Sequence, residues 1–140
     1  MFESCCTPYD VAHLLRARYG LPVRLDAHRP TVVCDARITA LDVPAPLAAR
    51  VLDALPDRPA PVITNPRGTV WTFLVHRTGP VDHERRRRLR RRGVALRAPG
   101  RRVLLPVGDG GFGWAREPEP GPLRLPGRAT VLDTLDRIDP

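Results

Sequence analysis

The chain has 140 residues, 42% of them hydrophobic, which suffices for a single domain over residues 1–140 with one modest core and excludes a large multidomain enzyme. Its 23 basic residues are all arginine, and with 15 acidic residues they give a formal net charge of +8, so we expect the protein to attract polyanions. No apolar run approaches the roughly 20 residues that span a bilayer, and residues 1–9 lack a basic segment followed by an apolar one, so we expect a soluble, cytoplasmic protein without a membrane partner.

The first predicted element is a short amphipathic helix. Thr7 can cap it and Asp10 can complete a capping box, while Pro8 suits the first helical position. Gly20 ends the helix. Three short β-branched segments follow, at residues 23–25, 31–34 and 37–41, and predict the strands of a meander. Residues 46–55 carry leucine and valine at helical spacing and predict a second helix.

The middle of the chain predicts a hairpin. Residues 62–64 and 69–75 have strand composition and flank a turn at residues 65–68. Because both faces of residues 69–75 are largely apolar, we expect this strand to be central in its sheet. Residues 94–97 and 101–107 predict a strand pair around the turn at 98–100, and residues 130–138 predict the last helix. The sequence therefore predicts an α+β domain with a mixed or antiparallel sheet and about four helices.

An arginine block dominates the third predicted helix, which Asp82 can cap and Gly93 can end. Seven of the eight residues from 85 to 92 are arginine, interrupted by Leu89. Because successive helical positions turn by about 100°, the block presents guanidinium groups on every side except near Leu89. Like charges four residues apart repel, so a nearby anion stabilises the helix, and a phosphate backbone supplies one.

We therefore predict nucleic acid as the partner, with DNA preferred over RNA. The predicted binding residues are Arg85, Arg86, Arg87, Arg88, Arg90, Arg91, Arg92, Arg101 and Arg102. Alternatively the block is a solvated face that Asp82 and Glu84 partly neutralise. Binding to an anionic membrane surface is disfavoured, because the block lacks the apolar face of an interfacial helix. Trp71 and Trp114 could stack on bases, but their apolar surroundings favour a place in the core.

The sequence contains no recognisable catalytic or metal-binding constellation. Cys5, Cys6 and Cys34 form no C-x-x-C pair, and the four histidines show no metal-ligand spacing. We expect Cys34 to be a buried thiol. The one serine, Ser4, lies outside any nucleophile motif, and the glycine-rich segment 108–113 lacks the ending of a phosphate-binding loop and predicts a turn between strands. We therefore expect no metal, no cofactor and no enzymatic activity.

The order of elements over residues 34–138 resembles a known family. Residues 38–44 (ITALDVP) followed by a helix, residues 61–75 around the Gly-containing turn, and residues 93–114 ending in Gly-Trp are similar to the small primase–polymerase fold. The resemblance is to short actinobacterial proteins described as bifunctional DNA primase/polymerase N-terminal-like. It implies a primase–polymerase-like fold for this chain.

The resemblance also implies that the catalytic site has degenerated. Active members carry an Asp-x-Asp or Asp-x-Glu pair on one strand, a His on the strand after the turn, and a later acidic residue, which bind two metal ions and the incoming nucleotide. Asp42 matches the first Asp, but Pro44 stands at the second position and the His position falls near Val70. Residues 94–97 supply no carboxylate. We expect a non-catalytic nucleic-acid-binding domain; the alternative is a regulatory protein-interaction domain whose arginine block pairs with an acidic partner.

Overall fold

Four helices and eight strands form within residues 7–55, 60–108 and 111–138, which are the residues that the computed structural model describes. In chain order the elements are α1 (Pro8–Tyr19), β1 (Arg24–Asp26), β2 (Arg29–Val33), β3 (Ile38–Pro44), α2 (Ala45–Ala54), β4 (Val62–Thr64), β5 (Val70–His76), α3 (His83–Arg91), β6 (Ala95–Leu96), β7 (Arg102–Leu104), β8 (Gly113–Arg116) and α4 (Arg128–Arg137). The predicted α+β class is confirmed.

Two antiparallel sheets organise the strands. The large sheet has the order β6-β3-β5-β4-β8 and the small sheet the order β1-β2-β7. The longest pairing joins β3 to β5 over seven positions, from Ile38 opposite His76 to Pro44 opposite Val70. The prediction that the strand after the turn is central is therefore confirmed, because β5 has a partner on both sides.

Side chains of the large sheet alternate between two cores. Leu41, Val43 and Phe73 pack on one face with residues of α2 and α4. Ala40 and Leu74 lie on the opposite face and pack with residues of α1 and of the small sheet. The large sheet therefore separates a layer of helices from a layer that contains the small sheet and α1. Together they form one small domain.

The first helix begins and ends as its local chemistry predicts. The Thr7 hydroxyl accepts a hydrogen bond from the Asp10 backbone N–H, and the Asp10 carboxylate accepts one from the Thr7 N–H, each at 3.2 Å. Pro8 occupies the first turn. Gly20 follows the last turn with φ of 68°, a conformation that favours glycine because it has no Cβ.

Two predicted strand pairings are wrong. The meander breaks after β2, because β3 pairs with β5 and β6 in the other sheet. The segments on either side of residues 98–100 do not pair with each other: β6 pairs with β3, and β7 pairs with β2. The turn instead carries the chain from one sheet to the other, because Val103 of β7 buries its side chain opposite Val32 of β2.

The expectation of a buried thiol at Cys34 is confirmed. Its side chain is 2% exposed, and burial raises the pKa of the thiol. Cys5, Cys6 and Ser4 lie outside the described residues. The glycine-rich segment 108–113, described except for residues 109 and 110, lies between β7 of the small sheet and β8 of the large sheet.

Candidate nucleic-acid interface

The arginine block forms α3, and its ends match the predicted signals. The Asp82 carboxylate accepts a hydrogen bond of 2.7 Å from the Arg85 backbone N–H, which caps the helix. Gly93 has φ of 81° just after the helix. Leu89 is the one buried residue of α3, at 1% exposure, and packs in the core between the large sheet and the helices. Leu89 is therefore the buried apolar contact between this arginine-rich helix and the rest of the domain.

Arg85 connects α3 to the last helix. Its Nη2 lies 2.9 Å from Asp133 Oδ1 and 2.6 Å from Asp136 Oδ2, and its side chain is 21% exposed. Burial alone would lower the pKa of Arg85, but the two carboxylates outweigh burial and raise it. Arg85 is thus engaged within the domain.

Arg92 makes a second connection to the same helix. Its Nη1 donates to the Leu135 carbonyl oxygen at 2.6 Å, and its Nη2 donates to the Ile138 carbonyl oxygen at 2.9 Å. These carbonyls belong to the C-terminal end of α4, where a helix has unpaired acceptors and where its dipole favours a cation. With Leu89 and Arg85, Arg92 fixes the orientation of α3.

Four arginines of α3 take no part in this contact with α4. Arg87, Arg88, Arg90 and Arg91 are exposed, and none of their guanidinium groups forms a hydrogen bond or an ion pair with another described residue. We call these four residues the arginine face. Arg86 is also exposed, but its Nε donates to the Val81 carbonyl oxygen at 3.2 Å.

Arg101 and Arg102 lie outside α3, at the start of β7. Together with Arg97 they line a cleft of about 920 Å³ beside Asp42, on the side of the large sheet that faces β7. Arg102 forms an ion pair of 3.2 Å with Asp26 of β1. Because Leu89 packs on the helix-covered face, α3 and the cleft occupy opposite faces of the large sheet. The nine predicted binding residues are therefore divided between two surfaces.

Asp42 faces the cleft and has partners on two sides. The Thr72 hydroxyl donates to Asp42 Oδ1 at 2.6 Å. Arg97 forms a two-point contact, with Nε 2.8 Å from Oδ2 and Nη2 3.1 Å from Oδ1. The charge of Asp42 is thereby balanced by a guanidinium group. The sequence did not indicate Arg97 or Thr72, because the contact depends on β3 pairing with both β5 and β6.

Metal ligands do not cluster in the part of the chain that the structure describes: no three His, Cys, Asp or Glu residues there could hold an ion together. Trp71 and Trp114 are half-buried and pack against the two cores. The Trp114 indole N–H is buried and has no hydrogen-bond partner among the described residues. Both tryptophans therefore contribute to packing.

The comparisons with known proteins give no relative. No family model, curated protein or solved structure matches the chain. Among the described residues, no helix has the length and apolar character that crossing a bilayer requires.

Proposed function

We propose that this protein is a non-catalytic nucleic-acid-binding domain whose arginine face contacts the phosphate backbone, with DNA as the preferred partner. The observation that carries the proposal is the contrast among the arginines at residues 85–92. Arg85 and Arg92 are held by α4, whereas Arg87, Arg88, Arg90 and Arg91 are exposed and have no acidic partner among the described residues. A helix fixed in this way presents four permanent charges without first having to be ordered.

Electrostatics favour a polyanion over a single small anion. Arg87 and Arg91 are four residues apart, so their charges repel along one side of α3. Double-stranded DNA carries about one negative charge per 1.7 Å of its axis and can neutralise several guanidinium groups at once. The formal net charge of +8 adds long-range attraction. Binding through this face is largely independent of base sequence, because phosphates carry no sequence information.

A primase–polymerase-like scaffold without its metal ligands is the framework that we propose for this domain. Asp42, the residue matching the first acid of that family, lies in the cleft between the two sheets. Arg97 and Thr72 occupy its carboxylate oxygens, and Pro44 stands where the second acid belongs. Two metal ions need several carboxylates around them, so these residues support the proposal that the domain does not catalyse phosphoryl transfer.

Binding to an acidic protein is the second candidate. The pairing of Arg85 with Asp133 and Asp136 demonstrates that this helix can satisfy its arginines with carboxylates. A protein partner with a row of acidic side chains could extend that pattern over the arginine face. Indifference to every nucleic acid at low salt would favour this candidate.

Charge reversal on the arginine face tests the proposal. We expect Arg87→Glu/Arg90→Glu/Arg91→Glu to weaken binding of labelled single- and double-stranded DNA and RNA by roughly tenfold or more in fluorescence anisotropy at 50 mM salt. The matched control is Arg24→Glu/Arg67→Glu/Arg124→Glu, which changes the net charge by the same amount at exposed positions outside α3. Far-UV circular dichroism establishes that both variants are folded. Equal losses in the two variants would contradict a site on α3.

A further inference from the structure

Two acids of α4 share one arginine of α3. Asp133 and Asp136 both contact the same guanidinium nitrogen of Arg85, Nη2, at 2.9 Å and 2.6 Å. The Nε atom of Arg85 is buried and has no hydrogen-bond partner among the described residues. Arg85 is therefore bound by one carboxylate more than its single charge requires.

This contact lies at the surface of the domain. The side chains of Arg85, Asp133 and Asp136 are 21%, 64% and 41% exposed. Ion pairs with exposed members are weak, because water competes for both partners. A phosphate oxygen is an alternative partner for Arg85, because a guanidinium group binds phosphate and carboxylate with the same planar set of donors. A nucleic acid bound to α3 therefore competes with α4 for Arg85.

Arg85 adjoins the arginine face along the helix. Arg88 lies three positions after Arg85, and residues three apart on a helix have Cβ atoms about 5–6 Å from each other on one side. Arg88 is exposed, and its guanidinium group has no acidic partner among the described residues. Without its two carboxylates, Arg85 would extend the arginine face by one charge.

We propose that Asp133 and Asp136 withhold Arg85 from nucleic acid, so that α3 neutralises one phosphate fewer than its arginines allow. This inference rests on the proposed function, because it concerns binding through the same helix. The contact is autoinhibitory, since carboxylates of the chain itself occupy the group that a phosphate needs. The same contact also attaches α3 to α4, so it lowers the affinity for phosphate while it fixes the helix.

Other contacts keep α3 and α4 in place when these acids are replaced. Leu89 is buried in the core, and Arg92 donates to carbonyl oxygens at the C-terminal end of α4. At the start of α4, Arg128 is 3% exposed, and its Nη2 donates to the carbonyl oxygens of Thr78 at 3.2 Å and Gly79 at 2.7 Å in the loop before α3. Replacing the two carboxylates with amides should therefore leave the domain folded, which far-UV circular dichroism checks.

The salt dependence of DNA binding by Asp133→Asn/Asp136→Asn tests the inference in the full chain. We expect the affinity at 100 mM salt to rise roughly threefold or more, and the slope of log K against log salt to become steeper by about 0.9, because one more phosphate is neutralised. Glu117→Gln/Glu119→Gln is the matched control, since it removes the same charge at exposed positions outside α3 and α4. Its slope should equal that of the native chain, and an equal steepening in the control would overturn the proposal.

A third variant tests whether the gain comes from Arg85. Arg85→Gln added to Asp133→Asn/Asp136→Asn should return the slope to its native value. A steeper slope that persists without Arg85 would overturn the proposal, because the acids would then act only by general repulsion. If Asp133→Asn/Asp136→Asn is unfolded, Asp136→Asn alone is measured in its place and should steepen the slope by a smaller amount.

The outcomes separate this inference from the proposed function. DNA binding with the same slope in the native chain and in the variant without the acids would overturn the inference and leave the arginine face in place. Absence of DNA binding by the native chain and by every variant would remove the proposed function and the inference together.

Discussion

At the scale of single residues, the Asp42 carboxylate lines the cleft and has two side-chain partners, Arg97 and Thr72. Its side chain is 24% exposed and that of Arg97 28%, so solvent screens their contact only in part. Without Arg97, the Thr72 hydroxyl is the one side-chain hydrogen-bond partner that the Asp42 carboxylate keeps among the described residues. The pair therefore contributes to stability through the cost of leaving a half-buried carboxylate without its cation.

We expect Arg97→Met to lower the free energy of unfolding by about 1–3 kcal/mol in urea titrations. The matched control is Arg101→Met in the same cleft, because Arg101 has no side-chain hydrogen bond to a described residue. That control should change stability by less than about 0.5 kcal/mol. Equal effects of the two substitutions would show that Arg97 and Asp42 are not coupled.

Asp35 links stability to acid pH. Its Oδ1 accepts hydrogen bonds from the backbone N–H groups of Arg37 at 2.7 Å and Ile38 at 2.9 Å. The hydrogen bond from Ile38 has the largest effect and the one from Arg37 the next, and together they lower the pKa of Asp35 below 3.8. A lowered pKa means that the contribution to stability is present above pH 3.8 and is lost as the pH falls through the pKa of the folded state.

Accordingly, the free energy of unfolding of the native chain should fall as the pH decreases below about 3.8. Asp35→Asn keeps an acceptor oxygen but cannot ionise, so its stability should depend less on pH over that range. Urea titrations at a series of pH values measure the difference. Parallel curves for the two proteins would contradict a role for the Asp35 charge.

At the scale of elements, the position of α3 depends on very few contacts. Leu89 supplies its apolar anchor, and Arg85 and Arg92 tie it to α4. Leu89→Ala should therefore lower the free energy of unfolding by about 2–4 kcal/mol, because it leaves a cavity where the helix meets the core. Arg88→Ala, one position away and exposed, should change stability by less than about 0.5 kcal/mol. Chemical denaturation that gave similar losses for both would contradict this packing of α3.

Local chemistry explains which elements and which parts of the site could be predicted from the sequence. The capping box at Thr7, the Asp82 cap and the stop at Gly93 each depend on residues a few positions apart. The pairing of β6 with β3 and of β7 with β2 depends instead on residues far apart in the chain, so the sequence did not predict it. For the same reason the sequence could not predict the contacts of Arg85, Arg92 and Arg128, because their partners lie 43 to 51 positions away.

At the scale of the whole molecule, the arrangement of charge matters more than its total. The formal net charge of +8 attracts polyanions without selecting a surface. The fold determines which surface is available, because it uses Arg85, Arg92 and Arg97 in internal contacts and leaves the arginine face exposed. Among the described residues, α3 therefore presents four neighbouring exposed guanidinium groups without an acidic partner, and we expect a polyanion to bind there.

The salt dependence of DNA binding is the most direct measurement of that arrangement. If the four arginines of the arginine face each neutralise one phosphate, the logarithm of the association constant should fall with the logarithm of salt concentration with a slope of about −3 to −4. The slope should become shallower in Arg87→Glu/Arg90→Glu/Arg91→Glu and remain nearly unchanged in Arg24→Glu/Arg67→Glu/Arg124→Glu. A slope near zero in the native chain, or the same slope in all three proteins, would contradict nucleic-acid binding through α3.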